Sequence, residues 1–121
     1  MRAVLIAGGW LWALAIIWLS LTPSPPDLGL SVEGADKLQH IAAYALLMAS
    51  FGWLYRSSAA RLGYAALWLA LGIGLEFAQR ATGYRDFEVA DMVADAVGLA
   101  LGAVLAILLS RVVPAPGTRK P

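Results

Sequence analysis

Apolar residues run almost unbroken through Ala3–Leu21, Leu38–Tyr55, Leu62–Gln79 and Val89–Ser110, while polar residues collect between these stretches. Each run is close to the ~20 apolar residues that cross ~30 Å of hydrocarbon, so the pattern predicts four membrane-spanning helices. The punctuation agrees. Pro23 stops the first helix, and Pro25-Pro26 forces an extended segment after it. Asp36 suits the N-terminal end of the second helix electrostatically. The Arg56–Arg61 connection is so short that the second and third helices must form an antiparallel hairpin. Thr82-Gly83 breaks the third helix, and the fourth begins near Phe87 or Glu88 and ends before Pro114. The predicted fold class is therefore all-α, a transmembrane bundle over residues 1–113. Residues 114–121 form a short basic tail, rich in Pro and Gly, that is expected to be disordered.

Charge gives the helices an orientation. Arg2, Arg56, Arg61, Arg111, Arg119 and Lys120 lie beside alternate connections that hold no acidic residue. The other two connections and the helix ends beside them hold all eight acidic residues, Asp27, Glu33, Asp36, Glu76, Asp86, Glu88, Asp91 and Asp95, with only Lys37, Arg80 and Arg85 as cations. Under the positive-inside rule both termini are cytoplasmic and the acidic ends face outward. The predicted location is the cytoplasmic membrane, crossed several times.

Composition narrows the picture further. At 121 residues and 60% apolar, the spans leave no room for a separate soluble domain. No cysteine is present, which excludes a disulfide framework and a thiolate nucleophile or metal ligand. The first apolar run follows Arg2 as a secretory signal would, but it is long, contains Trp10, Trp12 and Trp18, and lacks a small-x-small cleavage site. A retained span is expected. The aromatics Trp10, Trp12, Trp18, Trp53, Trp68, Tyr55 and Tyr64 supply interfacial belts or pack between helices.

The outward ends carry polar groups at helical spacing. Asp36, His40 and Tyr44 recur every four residues on one face, with Lys37 beside them. Gly72, Glu76, Gln79 and Arg80 form a stripe on the third span, and Glu88, Asp91, Asp95, Gly98 and Gly102 form one on the fourth. Gly98 and Gly102 make a Gly-x-x-x-Gly that admits a neighbouring backbone, so the carboxylates of that stripe should face other helices. Ionisable groups below the rim cost a few kcal/mol each on insertion scales of ~2.5–3.5 kcal/mol, and they pair or line a wet cavity. The expected cluster is Asp36, Lys37, His40, Glu76, Gln79, Arg85, Asp91 and Asp95.

Several chemistries suit this set. Lys37 and Arg85 fit a phosphate or carboxylate, or else an ion pair with Glu76 or Asp91. His40, the sole histidine, serves as base, ligand or hydrogen-bonded spacer, with Glu76 and Asp91 as further acid/base candidates. Ser20 is a conceivable nucleophile for His40, or a hydroxyl bonded to its own helix. Glu76, Asp91 and Asp95, with or without His40, offer hard oxygen ligands for Mg²⁺ or Ca²⁺.

Taken in order, Ser20-Leu21-Thr22-Pro23, Asp36-Lys37-Leu38-Gln39-His40, Glu76-Phe77-Ala78-Gln79, Arg85 and Asp91-x-x-x-Asp95-x-x-Gly98 resemble the motifs of the VanZ-like membrane proteins. The resemblance covers Ser20 to Gly102, and it rests on the order and spacing of short motifs rather than on any one. It implies a bacterial envelope protein connected with low-level resistance to the glycopeptide teicoplanin. The chain departs from the family at Asp95, where many members carry Asn, and no role is carried over to that position.

Three functions compete: a pocket that binds an anionic amphiphile such as a lipid-linked phosphate or cell-wall precursor, an enzyme acting on such a lipid, and a structural accessory subunit. The expected partners are membrane lipids and not nucleic acid.

Overall fold

The computed structural model describes residues 1–23, 29 and 33–117. The Pro25-Pro26 segment, Asp27, Arg119 and Lys120 lie outside the described residues. Four helices make up the fold: α1 (Arg2–Leu21), α2 (Ala35–Leu54), α3 (Ser58–Thr82) and α4 (Val89–Val112). No strand occurs among the described residues. Three of the helices, α1, α3 and α4, are long and apolar enough to cross a membrane. The opening turns of α2 carry Asp36, Lys37, Gln39 and His40, which dilute its apolar character.

Local chemistry sets the ends. Thr22 is extended at φ −70° and ψ 138°, as a residue before proline must be, so α1 stops there. Ser57 accepts the Ala60 N–H on its side chain at 3.1 Å, which starts α3 at Ser58, four residues ahead of the apolar run. Gly83 closes α3 in the left-handed conformation at φ 77°. At the start of the tail Ala115 is buried, and the Pro116 carbonyl accepts from Arg2 Nη1 at 3.3 Å; residues 118–121 lie outside the described residues.

α2 packs against all three other helices. Its Tyr44, Leu47, Met48 and Phe51 form the centre of the core with Ala13, Ile16, Trp68, Leu75 and Leu99. Phe51 is ringed by Tyr64, Trp68 and Trp10 at 4.8, 5.0 and 5.4 Å between centroids. These aromatics thus pack between helices, while Trp12 and Trp53 donate to the Ala43 and Val113 carbonyls, each at 3.1 Å. Large apolar side chains such as Val4, Leu11, Leu14, Val97, Leu101 and Leu108 point outward. An apolar exterior of this kind belongs to a multi-pass membrane protein.

The closest packing joins α2 to α4. A Cβ on Gly98 would strike the Ile41 carbonyl, one on Gly102 the Ala45 carbonyl and the Met48 Cβ, and one on Gly52 the Ala106 Cβ. Contact positions rise together along both helices, so α2 and α4 run parallel, with α3 returning the chain between them. Parallel packing brings the polar openings of both helices to the same end. Among the described residues, every carboxylate side chain lies toward that end, and Arg2, Arg56, Arg61 and Arg111 lie toward the other.

Candidate functional site

At the acidic end a column of polar groups descends between α2, α3 and α4. Lys37 occupies the rim. Its ammonium donates to Asp36 Oδ2 at 2.7 Å, to Asp91 Oδ1 at 2.5 Å and to the Glu88 carboxylate. One turn deeper, His40 Nδ1 pairs with Asp95 Oδ1 at 2.7 Å, and Nε2 stands 3.7 Å from Asp91 Oδ2, too far for a hydrogen bond. Asp95 forms the floor, its side chain only 2% exposed. Glu76, also buried, accepts the Glu88 backbone N–H at 3.1 Å and ties the start of α4 to α3.

Helical periodicity builds this column, since Asp36, His40 and Tyr44 face Glu88, Asp91 and Asp95 across parallel helices. Gly72 makes room for it from the third side. A Cβ there would lie 2.6 Å from Asp95 Oδ2 and 3.2 Å from the Tyr44 hydroxyl. The glycine therefore lets α3 come close enough to cover the buried carboxylate.

Comparison with protein-family models, with curated proteins and with solved structures finds no match. The site's chemistry has to be judged on its geometry.

Six of the eight expected residues, Asp36, Lys37, His40, Glu76, Asp91 and Asp95, converge in this network. Glu88, which the sequence placed on the α4 stripe but not in the cluster, joins them. Its offset of three residues from Asp91 was the available signal. Gln79 and Arg85 go elsewhere. Gln79 Nε2 donates to the Ser20 carbonyl at 2.8 Å, Tyr84 Oη to Leu21 at 2.6 Å, and Arg85 Nη1 to Thr22 at 3.4 Å. These are consecutive terminal carbonyls of α1, which have no intrahelical donor. The α3 end and the α3–α4 turn thus cap α1 from outside, and Arg85 also places its charge at the negative end of that helix.

Two further expectations change. The ring nitrogens of His40 face Asp91 and Asp95, so neither is turned to Ser20 and no Ser–His pair forms. Among the described residues, the carboxylates that bring ligand atoms within 4.8 Å of one another are Asp36, Glu88 and Asp91, not Glu76, Asp91 and Asp95. Asp95 is engaged by His40 on the floor, and the rim trio surrounds the Lys37 ammonium.

Charge is unbalanced in this column. Asp36, Glu76, Glu88, Asp91 and Asp95 are met by Lys37 and, when protonated, His40. A rim of this kind accepts hydrogen bonds far more readily than it donates them. Arg80, the remaining nearby cation, lies over the Phe87 ring at 5.9 Å. An open groove of about 420 Å³ lined by Leu14, Ile17, Trp18, Leu21, Thr22 and Pro23 runs along α1 at the same end.

Proposed function

We propose that this chain is a VanZ-like protein of the bacterial cytoplasmic membrane, crossing it four times with both termini inside. In this reading α2 is the fourth span, its polar opening tolerated because α3 and α4 cover it. The acidic end then faces outward and recognises the headgroup of an envelope amphiphile, of which a lipid-linked saccharide phosphate or cell-wall precursor fits best. The polar column from Lys37 to Asp95 is the observation that carries this reading. A bundle already closed by Gly98, Gly102 and Ala106 against α2 does not need seven ionisable side chains between its helices.

The surplus of carboxylates selects among headgroups. Sugar hydroxyls and amide N–H groups donate to Asp36, Glu88 and Asp91, which the Lys37 ammonium, its three donors already spent on them, holds together. The apolar groove along α1 offers a path for the chain of such a lipid. Gln79 and Arg85 act as positioning residues that hold the end of α1 against the site. Purification in native nanodiscs followed by mass spectrometry of retained lipids tests the reading. Wild type should keep a phosphorylated saccharide lipid, and Lys37→Gln and His40→Ala should lose it to a far greater extent than any fall in their membrane abundance, with a parallel change in glycopeptide susceptibility. Loss of abundance in proportion to phenotype in both variants would instead assign the column to helix assembly.

A second reading is favoured by the His40–Asp95 pair. With Nδ1–H donating to the buried carboxylate, Nε2 carries its lone pair upward toward the rim, as an oriented general base does. Hydrolysis or group transfer on the bound lipid follows from that geometry. Turnover of the retained lipid by wild type but not by His40→Ala distinguishes enzyme from binder.

A further inference from the structure

We propose that the basic end of the bundle holds the phosphate of an anionic phospholipid in a groove between Arg2 and Arg56. The groove has a volume of about 440 Å³ and is lined by Arg2, Leu54, Tyr55, Arg56, Ser57 and Ala60. Volumes of ~300–1,000 Å³ are usual for small-ligand sites. Arg2 enters from the start of α1 and lies over the Tyr55 ring at 5.2 Å. Arg56 enters from the α2–α3 turn.

Neither guanidinium meets a carboxylate among the described residues. Arg2 donates to the Pro116 carbonyl and Arg56 to the Ser110 carbonyl, both neutral acceptors. Each guanidinium carries five N–H donors, so most of that capacity remains available, and neither charge is neutralised by a carboxylate among the described residues. Arg61 behind them is spent differently, with Nε on the Gly52 carbonyl at 2.8 Å and Nη2 on Ser110 Oγ at 2.7 Å. The first turn of α3 opens beside the groove after the Ser57 cap, and its N–H groups add positive potential.

Leu54, Tyr55 and Ala60 give the groove an apolar and aromatic wall, completed by Ser57 and by Gly117 of the tail. A soluble anion has no use for such a wall, whereas a glycerophosphate with acyl chains does. Basic pockets between helices at the membrane surface bind acidic headgroups for this reason. The inference rests on the membrane reading and not on recognition at the acidic end, so either can fail alone.

Native mass spectrometry of the full chain, titrated in detergent with dioleoyl phosphatidylglycerol, dioleoyl phosphatidylcholine or inorganic phosphate, decides it. Wild type should prefer phosphatidylglycerol over phosphatidylcholine about 25-fold, from roughly fivefold for each of the two arginines near the surface. The Arg2→Gln/Arg56→Gln pair should lose that preference, and Arg111→Gln, an exposed arginine at the same end but outside the groove, should keep it. Ala60→Phe, which fills the groove and leaves both arginines, should lose it as well and serves if the double variant does not fold. Equal binding of the two lipids by wild type overturns the proposal. So does an Arg111→Gln loss as large as that of the pair, and so does displacement of phosphatidylglycerol by equimolar inorganic phosphate.

Discussion

Replacing Gly72 by alanine should destabilise the bundle, while the same change at Gly74 on the same helix should not. The new Cβ at Gly72 would lie 2.6 Å from Asp95 Oδ2 and 3.2 Å from the Tyr44 hydroxyl, whereas nothing lies within 4 Å of one at Gly74. To relieve the clash Asp95 must rotate, and it then gives up His40, now 2.7 Å away. Overpacking costs ~1–3 kcal/mol and a lost hydrogen bond to a charged group ~1.5–3 kcal/mol. Alanine returns ~1 kcal/mol of helix propensity, leaving a net loss of about 1.5–5 kcal/mol at Gly72. At Gly74 only the propensity gain remains. Equilibrium unfolding in detergent, followed by the fluorescence of the five tryptophans, measures both. A double-mutant cycle sharpens the test, because in an Asp95→Ala background only the 3.2 Å approach to the Tyr44 hydroxyl remains and Gly72→Ala should cost far less. Equal stability of Gly72→Ala and Gly74→Ala, or strictly additive effects with Asp95→Ala, would refute the placement of α3 over the site.

The remaining predictions concern topology, packing and charge. In the proposed orientation, a membrane-impermeant thiol reagent on intact cells should label Leu30→Cys and spare Ser58→Cys, and the reverse pattern overturns that orientation. Gly98→Ala should fall at the upper end of the ~1–3 kcal/mol overpacking range, because the atoms it meets belong to the Ile41 backbone and cannot turn aside. Gly8→Ala, with open space around it, should gain up to ~1 kcal/mol of helix propensity in the same assay, as Gly74→Ala does. Lys37→Gln should destabilise by about 1–3 kcal/mol, less than the ~3–5 kcal/mol of a fully buried broken pair, since its side chain is 29% exposed. Arg85→Ala should cost about 1 kcal/mol through the α1 cap and leave lipid retention at the Lys37 site intact; complete loss of retention would make Arg85 a ligand residue.

The helices were legible in the sequence because their determinants are local. Pro23 and Gly83 end helices through the conformations of adjacent residues, and apolar length alone marks α1, α3 and α4 as long enough to cross a membrane; the Ser57 cap that starts α3 early was not read from the sequence. Period-four spacing also showed that Asp36, His40 and Tyr44 share a face and that Asp91 and Asp95 share another. What spacing on one helix cannot give is the partner. Lys37 could have met any of several carboxylates, and Arg85 and Gln79 read like site residues because they stand at the same end of the bundle. Their actual destination, the carbonyls of Ser20 and Thr22, depends on which helix ends come together. Glu88 and Gly72 entered the site for the same reason, one through the parallel register of α2 with α4 and the other through the close approach of α3. The sequence by itself determined the elements, their faces and the sorting of charge between the two ends, all consequences of interactions within a few residues. The tertiary structure alone decided that α2 lies at the centre, that Lys37 is shared among three carboxylates, and that His40 stands on Asp95. Those outcomes turn on glycine-sized gaps and sub-ångström registers between helices distant in the chain, which no local pattern encodes.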